Sequence, residues 1–488
     1  MDKLAAMPPT DKAAILLASN RGPVSFTLKD DGTFALKRGG GGLVSSLSAI
    51  DPSAGVIWIC AALSDADRRA ARHAPGGRLD QAGHDTGGQA VRMLDIDPAT
   101  FNRAYNAIAN STLWFIHHML YDTANQPVFD ARFRKEWASY EAYNTAFADA
   151  LAADAAKGAK VMVQDYHLTL TPRLLRDRRA DLRIGYFTHT PWAPSEYFQL
   201  LPDDVAREVL EGVLGADYAA FHTRRWAGAF LDCCETVLGA KVDREELTVT
   251  HAGRTTRVGV HGLGADGDFL RDRAAQTDVE AHVTALREQV GDRKLIVRVD
   301  RTELSKNIVR GLLAYRHLLR EHPEWHGRVV HLAFAYPSRH DLPEYREYTA
   351  AVRRTAAEIV EEFATPDWQP LILHVNDDFP RSLAAYRMAD VVLVNPIRDG
   401  MNLVAKEAPV LSEKGCALVL SREAGAFFDL GQDAIVVNPY DVTGTAEALH
   451  QALTMDDAER IARCRRLAAA ATALPPGKWL ADQLAALE

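Results

Sequence analysis

From residue 14 to residue 439 the chain repeats one pattern: a short apolar run rich in β-branched residues, then a longer stretch of helical periodicity. Strands that recur in one direction need a crossover of a dozen or more residues between them, and a helix is the usual crossover. The pattern therefore demands parallel sheets covered by helices. A first series of strands is expected at 14–19, 56–60, 90–96, 159–164, 183–188 and 218–222, with helices near 99–119, 131–156, 203–213 and 223–238. A second series follows at 294–300, 329–335, 370–375, 391–395, 416–421 and 434–439, with helices at 306–321, 341–364 and 441–453. At 488 residues the chain is too long for one core, and the glycine-rich turn at 262–267 is the best boundary. The fold class is α/β: two doubly wound, Rossmann-like domains, 1–262 and 263–488, facing each other across a cleft, with the last helix packing back on the first domain. Ligands of such sheets sit at the carboxyl ends of the strands.

Composition narrows the function. A formal charge of −9 argues against a general nucleic-acid binder. The apolar runs are strand-sized, so no membrane span is expected, and the N-terminus MDKLAAMPPTDK lacks the pattern of a signal peptide. Five cysteines form no CxxC or His-rich cluster, which implies neither a disulfide frame nor a zinc site. The expectation is a cytoplasmic protein with no metal and no cofactor.

Polar residues gather where strands end. SNRGPVSF (19–26) places Arg21 at a strand end, where a guanidinium suits a phosphate or a carboxylate; a loop ion pair is the plain alternative. KRGGGGLVSSL (37–47) sets glycines, Gly41 and Gly42 among them, before an apolar helical run. It matches neither GxGxxG nor GxxxxGK[ST], and reads either as amides approaching a ligand or as a surface hairpin. AYNAIANSTLWFIHHML (104–120) reads as one amphipathic helix whose Tyr105 and Trp114 pack. VQDYHLTLTPRLLR (163–176) puts Asp165 at a strand end, suited to a sugar hydroxyl, with His167 as its partner or a helix-start residue. RIGYFTHTPWAPSEYF (183–198) repeats the arrangement with His189 before a proline-stiffened loop.

VRVDRTELSKNIVRG (297–311) offers Arg301 and Lys306, two cations suited to a diphosphate unless they form a solvated face, and AYPSRHDL adds Arg339. In NPIRDGMNLVAKE (395–407) a helix is expected from near Asn402. The amides of Gly400, Met401, Asn402, Leu403 and Val404 would then face phosphate oxygens, Asp399 sugar hydroxyls, and Glu407 the hydroxyls of a ribose. Six strand-end polar sites across two domains point to a sugar-nucleotide cleft.

NRGP, the glycine run, YNAIANSTLW, DYHL, FTHTPWAPSEYF, RTELSK, RDGMNLVAKE and SREAGA…IVVNPYD occur in the order found in trehalose-6-phosphate synthases, which the chain resembles from about 14 to 480. These are retaining glycosyltransferases of the GT-B fold. The resemblance implies that Arg21, Tyr105, Trp114 and Arg339 hold the phosphate of glucose 6-phosphate, which reverses the packing reading of the two aromatics. It implies that Gly41 and Gly42 approach the donor, that Trp58 lies near the sugar site, and that Asp165 and His189 contact the sugars. Arg301 and Lys306 would bind the donor diphosphate, Asp399 the glucosyl hydroxyls, the amides of 402–404 the phosphate, and Glu407 the ribose.

Two motifs depart from the family pattern. HDYH has Gln164 for its first histidine, and RLDYSKG reads Arg301-Thr302-Glu303-Leu304-Ser305-Lys306-Asn307. The resemblance is nearest to actinobacterial members, which implies GDP-glucose over UDP-glucose as donor. The expected reaction passes glucose from a nucleoside diphosphate to glucose 6-phosphate, giving α,α-trehalose 6-phosphate. A homo-oligomer is compatible with this, and a separate phosphatase is expected because the chain ends at Glu488. The alternatives are a pseudoglycosyltransferase joining cyclitol units and a sugar-phosphate sensor without catalysis.

Overall fold

The computed structural model describes residues 12–38, 47, 55–339 and 341–488. Gly41 and Gly42 lie outside the described residues. The chain divides into two compact units, one formed by Met1–His117, Tyr121–His261 and Leu480–Glu488, the other by His118–Leu120 and Gly262–Trp479.

The strands of the first unit are β1 (Ala13–Ser19), β2 (Val24–Leu28), β3 (Phe34–Arg38), β4 (Val56–Ala61), β5 (Ala90–Leu94), β6 (Ala155–Gln164), β7 (Arg183–Thr188), β8 (Tyr218–Phe221), β9 (Lys241–Asp243), β10 (Thr248–His251) and β11 (Arg254–Val260). Nine of them form one sheet in the order β5-β4-β1-β6-β7-β8-β11-β10-β9. The run from β5 to β11 is parallel, and β9 and β10 extend it antiparallel. The β2–β3 hairpin and the β9–β11 meander have no counterpart in the sequence expectation, because their alternating, half-exposed residues lack the continuous apolar run of a buried parallel strand. The chain moves outward from β1 to β4 and β5, then returns to β6 on the other side. The switch point of this unit is thus the β1/β6 boundary, where Ala18 pairs with Val163. The terminal segment belongs to this unit, with Lys160 Nζ donating to the Leu484 carbonyl at 3.2 Å.

The second unit holds β12 (Lys294–Arg301), β13 (Val329–Tyr336), β14 (Leu371–His374), β15 (Val391–Val394), β16 (Ala417–Ser421) and β17 (Ile435–Val437). They form an all-parallel sheet in the order β14-β13-β12-β15-β16-β17. All of β13, β15 and β16 is buried, which explains their unbroken apolar sequences: helices cover both faces. Here the switch point lies between β12 and β15.

One expected helix changes character. The stretch read as a helix over 99–119 is α-helical at Pro98–Asn102, widens to π-type bonding over Arg103–Leu113 and resumes at Trp114–His118. Trp114 donates its amide to the Ala109 carbonyl five residues back. Ser111 and Thr112 hydroxyls also bond the carbonyls of Asn106 and Ala107. Side-chain competition of this kind loosens the ordinary ladder.

Helices of the first unit approach closely at glycine. A Cβ on Gly212, within Asp203–Val213, would stand 2.5 Å from the Thr169 carbonyl oxygen and 2.9 Å from Leu170 Cα. Gly212→Ala is expected to lower stability by about 1–3 kcal/mol through overpacking, read as a shift in the denaturant midpoint at unchanged slope.

Candidate functional site

In the first unit the candidate residues collect at the carboxyl ends of β1, β6 and β7. The turn after β1 is fastened on every side except one. Tyr143 donates its hydroxyl to Asn20 Oδ1 at 2.6 Å, Ser19 Oγ donates to the Arg21 carbonyl at 2.8 Å, and Gly22 has no room for a Cβ beside Cys60 Sγ. Arg21 is exposed, and none of the acidic groups among the described residues pairs with it. Trp58 requires a correction. It is only 2% exposed, and its indole N–H is given to Ser19 Oγ at 2.7 Å. It braces the Arg21 turn from beneath and presents no edge to a ligand.

The π-type widening explains how Tyr105 and Trp114 can act together. Nine residues make about two and a half turns of α-helix, which would set them on opposite faces, but about two turns when each turn takes in an extra residue. They accordingly join one aromatic row. Phe101 stacks on Tyr105 at 5.2 Å, Tyr105 on His167 at 5.6 Å, His167 meets Tyr166 at 4.0 Å, and Tyr166 meets Trp114 at 5.6 Å. The motifs YNAIANSTLW and DYHL are therefore two sides of one packed structure.

Asp165 follows β6 with φ at 74°, a backbone that non-glycine residues adopt at a cost and that recurs at functional sites. The His189 amide donates to its Oδ1 at 3.1 Å. Gln164 is fully buried, and its amide oxygen lies 3.0 Å from His189 Nε2. The departure from HDYH thus leaves His189 with a neutral partner. Burial, reinforced by His222, holds the His189 pKa well below the ordinary histidine value, so the ring is neutral.

In the second unit the β12/β15 switch brings opposite charges together. The turn after β12 carries Arg301, Glu303 and Lys306; the loop after β15 carries Asp399. Lys306 Nζ meets Asp399 Oδ2 at 2.6 Å, and Asn402 Nδ2 donates to the same oxygen at 3.0 Å. Burial works against both charges. For Asp399 the nearby ammonium outweighs it and holds the carboxyl below its usual range; for Lys306 the acids Asp399, Glu303 and Asp300 outweigh it and raise the ammonium. Beneath them Arg298, wholly buried, binds Asp300 at 2.7 Å.

The family glycine of RLDYSKG is Asn307 here, and the structure accounts for it. Asn307 has φ 58° and ψ 37°, the left-handed region that asparagine tolerates best after glycine. Its amide nitrogen donates to the Asn395 and Pro439 carbonyls at 2.9 and 2.7 Å.

The helix expected from near Asn402 begins later, at Val404, and runs to Leu411. Asn402 has φ 101°, and its Oδ1 caps the Ala405 amide at 3.0 Å. The backbone amides of Met401, Asn402 and Leu403 find no acceptor among the described residues. They therefore remain able to donate, which keeps the anion-binding reading of this loop intact. Gly400, which precedes them, carries the carbonyl nearest Gly425. Glu407 is half-buried, and loss of hydration pushes its carboxyl up to about 7. Arg339 sits on the loop after β13 at φ 47°, donating to the Tyr345 hydroxyl at 2.6 Å.

Three residues of this unit escaped the sequence reading. Lys406 is buried, bonded to the Leu263 carbonyl at 2.7 Å and Asp429 at 2.6 Å; it ties the helix to the glycine-rich turn. Gly425 belongs to SREAGA, which zips onto the Asp399 loop: Gly425 N donates to Asp399 O at 3.0 Å and Ala426 N to Met401 O at 2.8 Å. Glu303 is completely buried and faces Arg301 at 3.0 Å. The signal available for Gly425 was a glycine within a motif; a buried glutamate between arginines leaves none.

Among the described residues one trio, His322, Glu324 and His450, brings candidate metal-ligand atoms within 4.8 Å of one another. The two imidazoles stack face to face at 3.7 Å, and His450 Nδ1 already accepts the Trp325 indole N–H.

The model of glycosyltransferase family 20 matches residues 13–488. The chain is 37% identical over 389 residues to a bifunctional trehalose-6-phosphate synthase/phosphatase of Thermoproteus tenax, covering 78% of this chain and 51% of that protein. It therefore spans about half of that relative. It is 33% identical over 461 residues to the UDP-forming α,α-trehalose-phosphate synthase of Schizosaccharomyces pombe, covering 93% and 86%. A crystal structure of a UDP-forming α,α-trehalose-phosphate synthase from Burkholderia xenovorans in complex with glucose-6-phosphate superposes with a TM-score of 0.83 at 27% identity, covering 97% of this chain and 99% of that one. The Schizosaccharomyces pombe and Burkholderia xenovorans proteins are named as UDP-forming, which runs against the expectation of GDP-glucose.

Two outcomes follow from the geometry. A Cβ on Gly425 would strike the Gly400 carbonyl and stand 2.9 Å from Met401 Cα, so Gly425→Ala must displace the amide loop. Gly425→Ala is expected to lower stability by about 1–3 kcal/mol through overpacking, read as a lowered melting temperature. Glu407 is held protonated in the folded chain, with its pKa raised to about 7, above the ordinary carboxylate value. The fold therefore carries no penalty at pH 4, loses stability as pH rises toward 7, and carries the full penalty above it. Glu407→Gln is expected to raise the melting temperature at pH 8 and leave it unchanged near pH 4.

Proposed function

This chain belongs to glycosyltransferase family 20, and from that premise we propose that it transfers glucose from UDP-glucose to glucose 6-phosphate, giving α,α-trehalose 6-phosphate with retention at the donor carbon. The observation that carries this reading is the charge arrangement at the β12/β15 switch. Arg301 and Lys306 stand on one strand end, and the amides of Met401–Leu403 and the carboxylate of Asp399 stand on the other.

The cations and amides suit a diphosphate, whose leaving charge grows during bond cleavage. Groups already fixed in place stabilise that charge without reorganising. The Lys306–Asp399 contact holds both side chains ready, and a sugar hydroxyl can share the Asp399 carboxylate with Lys306. Glu407, whose pKa of about 7 leaves both protonation states accessible near neutral pH, can donate to or accept from a ribose hydroxyl. In the first unit, exposed Arg21 and the aromatic row through Tyr105 and Trp114 suit the acceptor's phosphate and ring; within the second unit, Arg339 is a cation suited to a phosphate. Asp165 and neutral His189 suit sugar hydroxyls. In this scheme the acceptor hydroxyl attacks from the leaving-group face and gives its proton to a diphosphate oxygen. The scheme assigns no step to a metal.

The test is a competition among UDP-, GDP- and ADP-glucose with glucose 6-phosphate as acceptor, following nucleotide release and the sugar product. UDP-glucose is expected to be consumed fastest, with trehalose 6-phosphate formed in step. Arg301→Ala and Lys306→Ala are each expected to lower turnover by roughly a hundredfold or more. Near-normal rates would remove the diphosphate assignment. Transfer only to a cyclitol phosphate would select the pseudoglycosyltransferase, and binding without nucleotide release would select the sensor.

A further inference from the structure

Glu303 stands where the family pattern carries aspartate, and it is the one acid of the second unit with no exposed surface at all among those that meet the site cations. A buried carboxylate is costly unless cations and hydrogen bonds repay it. Its Oε1 pairs with the Arg301 guanidinium at 3.0 Å and accepts from the Ser338 hydroxyl at 2.9 Å. Ser338 is itself buried and immediately precedes Arg339. The loops carrying the two arginines are also joined through the backbone, where Thr302 N donates to the Tyr336 carbonyl at 2.6 Å. Burial alone would raise the Glu303 carboxyl, but Arg301, Arg339 and Lys306 hold it down at about 2. It is ionised whenever the protein is folded.

We propose that Glu303 is a positioning residue: one buried carboxylate fixes the Arg301 turn and the Arg339 loop at a set spacing, so that a diphosphate and a sugar phosphate are gripped in register. The inference rests on the roles given above to Arg301 and Arg339. Arg339 needs such a brace, because its own backbone lies in the left-handed region at φ 47° and its guanidinium is oriented by Tyr345 on the far side. Glutamate, one methylene longer than aspartate, reaches Ser338 from the start of the short helical turn Leu304–Lys306. The carboxylate acts through the two arginines and does not itself touch substrate.

The experiment is a double-mutant cycle on the full chain. Glu303→Gln keeps length and hydrogen-bonding shape but removes the charge, and is expected to raise the KM for glucose 6-phosphate and lower kcat, each about tenfold. Glu303→Asp, which keeps the charge but falls a methylene short of Ser338, is expected to recover part of both. In an Arg339→Ala background, Glu303→Gln should add nothing further to that KM, whereas a general structural defect would persist. An unchanged KM in Glu303→Gln, an undiminished effect in the Arg339→Ala background, or an aspartate variant as poor as the glutamine one would overturn the proposal. Should Glu303→Gln fail to fold, Ser338→Ala carries the test: a KM raised a few-fold (about threefold) supports it, and an unchanged KM overturns it. A wild-type chain that releases no UDP from UDP-glucose and glucose 6-phosphate fails the functional reading instead. The same variants are then read by calorimetry with pyrophosphate, where equal affinities in wild type and Glu303→Gln would overturn the positioning role.

Discussion

The second unit depends on a buried ion pair at a topological switch. Lys306 and Asp399 lie 93 residues apart in sequence, at the ends of two neighbouring parallel strands, and meet at 2.6 Å where neither is well hydrated. Taking either charge out of water is expensive, and breaking such a pair by removing one partner costs about 3–5 kcal/mol. The surroundings show how it is sustained. Asn402 donates to the carboxylate, Asp300 and Glu303 share the field of the ammonium, and Arg298 balances Asp300 from beneath. The proposed function gives these charges a use, since a site that handles phosphate needs cations already in place. The sheet can hold them because only strand ends leave room for polar groups beside an apolar core.

The same logic orders the first unit with different materials. At its β1/β6 switch stand Asn20 held by Tyr143, the Asp165 side chain bonded to the His189 amide, and His189 held neutral by burial with a glutamine partner. Arg21 stands exposed beside them. Backbone strain marks both places. Asp165, Arg339 and Asn402 all hold positive φ without being glycine, and each is fastened by hydrogen bonds that over-determine its position.

Several departures from the family pattern become intelligible at this level. Asn307 replaces glycine and still enters the left-handed region, anchoring its side chain on two carbonyls. Gln164 replaces histidine and keeps a partner for His189 while removing a titratable group. Glu303 replaces aspartate and gains the reach to Ser338. Each keeps the position's physical task by other chemical means, which is why the motif remained recognisable although its letters changed.

The apolar runs of β12, β13, β15 and β16, and the polar residues that follow them, were legible in the sequence because a strand buried on both faces has to be continuously hydrophobic and its end is where that requirement stops. Arg21, Asp165, Arg301, Lys306 and Asp399 were visible for the same reason. What sequence alone missed depends on contacts between distant residues. The π-type turn that puts Tyr105 and Trp114 in one aromatic row depends on backbone bonding that a 3.6-residue period hides. The commitment of Trp58 to Ser19, the tie of Lys406 to Leu263, the zipping of Gly425 onto the Asp399 loop and the burial of Glu303 among cations join residues from 26 to 143 positions apart. Local pattern determined which elements form and where their polar ends fall. Only the tertiary structure decided which of those ends meet, because burial and charge pairing are properties of neighbours in space.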